Sequence, residues 1–236
     1  MKVTQYRYKK EQLMVQIRNL EAVVETLRSD SLAEQIAAVR NRLCFTLPGY
    51  LNEWTGKLPV IVWGATYRKE EGQVRIKTYT GCIVLEVNGL SDMAEAARVR
   101  EEASAMPQTL LAFIGLSGKS VKIIVPFTLP DGKLPRSEEK AKLFHAAAYQ
   151  LAVRYYQPQL SSMVTLKEPV LSRGTRISYD AGLYYNPDAV AIRIEQPLQM
   201  PSEGELRIVQ DAPVDPVDRL LPGLERNSQV ATLFSV

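Results

Sequence analysis

The chain has 236 residues, 46% of them hydrophobic and 23% charged, which is the make-up of a globular protein and excludes a disordered one. That length holds one large domain, or one domain with a small appendage. Twenty-nine Lys and Arg against 26 Asp and Glu leave a net charge of +3, which is compatible with a nucleic-acid partner but does not by itself point to one.

The first residues are basic with no apolar run behind them, so no secretory signal is read there. Leu13, Ile17, Leu20, Val24 and Leu27 recur at helical spacing and predict a first helix. Ser31 followed by Glu34 is a capping-box signal for a second, with Leu32, Ile36 and Val39 on one face. Arg40 and Arg42 close it, a favourable placement at a helix C-terminus and a better reading than a phosphate contact. Residues 47–55 read as loop. Residues 60–63 and 75–80 are short strands. Residues 82–87 are almost continuously apolar with Glu86 embedded, the pattern of a strand buried on both faces. A helix follows from Ser91 to about Ala105, then strands at 109–114 and 121–127 joined by a glycine-containing turn. Ser137 caps a long helix ending near Tyr156, before Pro158. Strand-like pieces lie at 176–179 and 190–194. The longest apolar runs, 110–114 and 121–127, are strand-sized and far short of a membrane span.

From 82 to 179 the order is strand, helix, strand, strand, helix, strand. This predicts an α+β fold with an RRM/ferredoxin-like split β-α-β core and an N-terminal helical/strand extension. The domain division expected is 1–197, comprising a 1–80 extension and an 81–197 core, followed by a Pro-rich acidic tail or linker at 198–236.

One histidine, His145, and two cysteines, Cys44 and Cys82, exclude a Cys/His zinc cluster and a disulfide scaffold, and are read as a reducing, cytoplasmic compartment. Any metal chemistry then uses oxygen ligands, which points to Mg²⁺ or Mn²⁺. His145 sits in a helix without a partner at recognisable spacing and reads as a helix-surface or core-edge residue. Gly115-Leu116-Ser117-Gly118-Lys119-Ser120 lacks the first glycine of a phosphate loop, Phe113 standing there. A strand rather than a helix follows it, so a tight hairpin turn is the reading. Glu86 is the sharpest residue, because an ionised carboxylate in a central strand must be paired or bind a metal. Asn88, two positions on, shares its sheet face. Lys122 lies on a neighbouring strand and can meet either Glu86 or a phosphate. Arg173 follows Ser172 in a polar stretch and is a further anion candidate.

Three blocks, YTGCIVLEVNGLS, LLAFIGLSGKSVKIIV and SRGTRISYDAGLYYNPDA, occur in the order and spacing of a known family. On them the chain resembles the primase-like N-terminal domain of virulence-associated protein E proteins of mobile elements, in the archaeo-eukaryotic primase superfamily, over about residues 1–197. The resemblance implies a DNA-replication protein of the primase-polymerase type, binding nucleic acid and nucleotides, with Mg²⁺ or Mn²⁺ if active and a separate helicase as a possible partner. No membrane partner is implied. It places Glu86 and Asn88 at the metal-ligand positions and Ser117, Gly118 and Lys122 at the nucleotide phosphate. Arg173 belongs to the third motif, whose acid position falls on Thr165, with Glu168 the nearest acid. Two of three expected carboxylates are therefore absent, which implies a degenerate metal site. The alternatives are an active nucleotidyltransferase that rebuilds its site with Glu168 or Asp180, and a non-catalytic protein-interaction module on the same fold.

Overall fold

The computed structural model describes residues 1–9, 12–43, 55 and 58–195. In chain order the strands are β1 (Lys2–Lys9), β2 (Gln12–Asn19), β3 (Val60–Val62), β4 (Ala65–Glu70), β5 (Gln73–Tyr79), β6 (Cys82–Asn88), β7 (Leu111–Ile114), β8 (Ser120–Thr128), β9 (Gly174–Arg176), β10 (Tyr184–Tyr185) and β11 (Ile192–Arg193). The α-helices are α1 (Leu20–Arg28) and α2 (Ala33–Leu43), which precede β3, then α3 (Met93–Ser104) between β6 and β7, and α4 (Glu138–Tyr156) between β8 and β9. Of the loop expected at 47–55 only Thr55 is among the described residues, and the 198–236 tail lies outside them.

β6 is buried along its whole length, as its unbroken apolar run requires. It pairs antiparallel with β8, which pairs antiparallel with β7 on its other side. β6 and β7 are therefore parallel to each other, with α3 as the crossover and β8 inserted between them. β10 extends this sheet beyond β7, and β11 runs parallel to the end of β8. Alternation along the strands sorts the side chains onto two faces. Ile83, Leu85, Val87, Ile123 and Val125 pack with Ala96 and Val99 of α3 and Phe144 and Ala148 of α4. Val84, Phe113 and Ile124 pack with Val23 and Leu27 of α1, Ile36 of α2 and Trp63. Both faces of the sheet are thus covered.

The helix ends follow local chemistry. Asp92 caps α3 by accepting from the Glu95 N–H at 2.8 Å, while Glu95 reaches back to the Ser91 N–H at 2.7 Å. Ser137 caps α4 by accepting from the Lys140 N–H. Each cap satisfies an amide that the helix leaves unbonded.

Two expectations need correction. The apolar residues at 13 and 17 belong to β2, not to a helix, and the helical period begins only at Leu20. A spacing of four fits both periods, and here Leu13, Val15 and Ile17 alternate on one strand face while β2 pairs with β1 over all eight residues. The RRM-like closure also differs. β9, the last strand of the expected pattern, pairs with β3 rather than with the β6–β8 sheet, in a second antiparallel sheet of order β2-β1-β3-β9. The close approach depends on Gly174, where an added Cβ would stand 2.4 Å from a methyl of Val60. Thr175 then accepts from the Trp63 indole N–H at 2.8 Å, and Arg176 donates to the Thr55 carbonyl at 2.7 Å. The broad class, α+β with antiparallel sheets, is as expected. β4 and β5 form a separate two-stranded hairpin.

Candidate functional site

Register places the central charge. Glu86 of β6 lies directly opposite Lys122 of β8, and directly opposed residues of an antiparallel pair share a face. Lys122 Nζ donates to Glu86 Oε2 at 2.9 Å and faces Asn88 Oδ1 at 3.4 Å. The Asn88 amide donates to the same Glu86 oxygen at 3.2 Å. Beyond the other edge of β6, the segment after α4 runs back alongside it. The Thr165 N–H donates to the Glu86 carbonyl at 2.7 Å, and the Asn88 N–H donates to Thr165 Oγ1 at 3.2 Å. Lys167, two residues on, brings its ammonium onto Glu86 Oε2 as a second ion pair. Tyr149 of α4 fastens this segment, its hydroxyl donating to the Thr165 carbonyl at 3.3 Å and accepting from the Lys167 N–H at 2.8 Å.

The electrostatics follow from that geometry. Burial alone pushes the Glu86 carboxyl up, and the Lys122 and Lys167 ammoniums outweigh it, holding the group well below the usual carboxylate range. The side chains of Glu86, Lys122 and Lys167 are 2%, 3% and 9% exposed, so the cluster is nearly sealed from water. One carboxylate serves two ammoniums. A divalent ion held by Glu86 Oε, Asn88 Oδ1 and Thr165 Oγ1 would meet two positive groups at contact distance and a single formal negative charge, too little for a hard-cation site. Among the described residues no group of three or more His, Cys, Asp and Glu side chains is placed to hold a metal.

The other candidates distribute as follows. The 115–120 segment is the hairpin turn between β7 and β8, with Gly118 at φ +76°. Ser117 Oγ accepts from the Lys119 N–H within that turn. The turn borders the cluster, since Ser120 lies opposite Asn88 and a Cβ on Gly115 would stand 3.1 Å from Lys122 Cε. Arg40 crosses to this turn from α2 and donates to the carbonyls of Gly115, Leu116 and Tyr179 and to Ser178 Oγ. Arg173 donates twice to the Glu168 carbonyl rather than to Glu86, and the Glu168 side chain is exposed. Asp180 is bound by Arg100 at 2.6 Å and by the Ile114 N–H at 2.8 Å. His145 is buried, 3.3 Å from the Tyr79 hydroxyl. Burial, helped by the nearby Arg173 charge, lowers its pKa to about 3. The sequence therefore brings Glu86, Asn88, Lys122 and Thr165 together and leaves Arg173, Glu168 and Asp180 elsewhere. Lys167 was missed, although alternation from Thr165 puts it on the same side of an extended segment.

This is an α+β domain whose central-sheet carboxylate is sealed by two lysines. The family model described as BT4734-like, N-terminal domain, matches residues 53–185, more than half of the chain, and the chain belongs to that family. No curated protein and no solved structure matches the chain. The family match overturns the resemblance to virulence-associated protein E and the primase superfamily, and with it the expectation of a mobile-element replication protein. Of the blocks that carried the resemblance, the first encodes the buried strand β6, the second β7, a tight hairpin turn and β8, and the third β9 and β10, of which β9 lies in the other sheet. No helix among the described residues is long and apolar enough to cross a membrane.

Proposed function

We propose that this chain is a binding domain for single-stranded nucleic acid, in which Glu86 is a structural ion-pair hub and not a catalytic metal ligand. The observation that carries the non-catalytic reading is the pairing of one buried carboxylate with two ammoniums. Lys122 and Lys167 occupy the positions from which Mg²⁺ or Mn²⁺ would have to act, and displacing both would leave Glu86 as a buried, uncompensated charge. The β6-α3-β7 crossover with β8 between its strands supports reading the core as half of a ferredoxin-like, ligand-binding sheet. Its faces are both covered, so the partner must be met on another surface. The charge distribution supports a polyanionic partner. Residues 1–19 and 65–79, which span the β1–β2 and β4–β5 hairpins, hold nine Lys and Arg against three Glu, a net of +6 in a chain whose total is +3.

The test has two arms. A fluorescent single-stranded oligodeoxythymidylate is titrated at several salt concentrations, and the full chain is titrated with Mg²⁺ and Mn²⁺ by calorimetry. The expected result is affinity falling linearly in log–log form with salt and no stoichiometric metal heat. Absence of binding at low salt overturns the partner class and favours a protein-interaction module. Stoichiometric Mn²⁺ binding abolished by Glu86→Gln overturns the structural role of Glu86.

A further inference from the structure

A concavity borders the two hairpins between the end of β2 and the end of β5. Its volume is about 670 Å³, and Lys2, Asn19, Thr66, Lys77, Thr78 and Thr80 contribute its polar lining, a size in the range of ligand sites. We propose that this groove binds the sugar-phosphate backbone of a single strand, an inference that rests on the nucleic-acid reading above and locates its contact surface.

Three observations carry it. The first is the irregularity in the β4–β5 pairing. Thr66 pairs with Thr78 and Tyr67 with Ile76, which leaves Lys77 as an extra residue with no cross-strand counterpart. A bulge of this kind redirects the side chain of the inserted residue, and Lys77 lines the groove. The second is charge. Lys77 and Lys2 face the same groove with no ion pair to either among the described residues. Further along the same hairpin Arg68 and Arg75 lie directly opposite each other on β4 and β5, with Arg68 ion-paired to Glu70 at 3.0 Å, so the unpaired positive charge of this hairpin is carried to the groove by Lys77. The third is the kind of donor. Lysine, threonine and asparagine are side chains that meet phosphate and sugar oxygens; Thr66 and Thr80 already donate to the Thr78 and Trp63 carbonyls, so the donors the groove offers are Lys2, Lys77, Asn19 and Thr78. The aromatic ring that touches the groove, Tyr79, is buried and offers no stacking platform. The geometry therefore points to backbone contact that is indifferent to base identity, rather than to base readout.

Lysines on an edge strand also have a bland role, blocking strand-to-strand association, and the experiment separates the two. Lys77→Gln and Lys2→Gln are compared with Lys119→Gln, an exposed lysine of the β7–β8 turn, by titrating the oligodeoxythymidylate and its abasic counterpart over a salt series. Each groove substitution is expected to lower the slope of log affinity against log salt by roughly 0.7, the single-strand value for one phosphate contact. Lys119→Gln is expected to leave the slope unchanged, and the abasic strand to bind within a factor of a few of the normal one. Wild-type binding with unchanged slopes in both groove variants overturns the groove and leaves the nucleic-acid reading standing. Equal losses in all three variants overturn it as well, because they report overall charge. Lys77→Gln that associates into larger species while binding normally assigns Lys77 to edge protection and overturns its role as a ligand contact. No wild-type binding at low salt removes the broader reading itself.

Discussion

Glu86→Gln isolates what the central cluster contributes. The substitution keeps the shape of the side chain and removes the charge that Lys122 and Lys167 share. All three groups are nearly inaccessible, so water cannot replace the lost carboxylate without opening the strand edge. Removing one partner of a buried ion pair costs about 3–5 kcal/mol. For a domain of this size each kcal/mol lowers Tm by about 2–4 °C, so the variant is expected to melt roughly 6–20 °C below wild type. The pH dependence has a definite sign. The folded carboxyl sits below its ordinary value of 4.5, so its contribution is fully present above that value and is lost as pH falls toward the folded one. The gap between wild type and Glu86→Gln is therefore at its full width above pH 4.5 and starts to narrow as pH falls below that value. Urea unfolding of both proteins from pH 7 to pH 3.5 measures it. The triple substitution Glu86→Leu, Lys122→Met, Lys167→Met should recover most of the loss, because a well-packed apolar replacement of an ion cluster is often neutral or better. If Glu86→Gln unfolds within about 0.5 kcal/mol of wild type, the range of ordinary surface substitutions, the cluster is not a structural hub and the reasoning fails.

Two further outcomes follow from groups outside the cluster. His145 is neutral when folded, with its pKa lowered to about 3, and takes a proton near 6.5 when unfolded. The unfolded state then binds more protons between those values, so stability falls by about 1 kcal/mol per pH unit below pH 6.5. His145→Gln should flatten that limb in urea titrations. Arg40→Met removes donors from three carbonyls and a hydroxyl. It should cost roughly 2–4 kcal/mol and release the amides of the 115–120 turn and of residues 178–180 to faster hydrogen exchange, with those of α3 unaffected.

Legibility in the sequence depended on how many signals agreed. β6, β8 and α4 combine a long unambiguous pattern with a stop or a cap, and each was placed to within a residue or two. β2 was misread because Leu13 and Ile17 satisfy a strand and a helix equally, and what decides between them is pairing with β1, which no local window contains. β9 has three residues and no hydrophobic pattern of its own, so its choice of β3 over β6 rests on contacts made by Gly174 and Thr175 across more than a hundred residues. At the site, the meeting of Glu86 and Lys122 could be read from adjacent strands of opposite direction. Lys167 comes from an extended segment without strand signals, positioned by Tyr149 of α4, and only the assembled fold reveals that it completes the cluster.

The position of β3 sets the order in which the chain can fold. Val62 pairs with Thr4 on one side and with Gly174 on the other, so its second partner lies 112 residues further along the chain. Contacts of such separation must overcome a large loop-closure entropy before they return any stabilisation. On the ribosome, Val60, Ile61 and Val62 emerge early with one edge covered by the N-terminal hairpin and the other open until residue 176 is made. An open apolar edge is where strands mispair. The region matched by the family, 53–185, includes β9 but not β1, so a fragment cut to those limits would expose β3 on the opposite side and remove Tyr6 and Val3 from the clusters that hold Val60, Ile61 and Val62. The packed unit therefore extends beyond the unit that the family defines, and a fragment of this domain has to include β1 and β2.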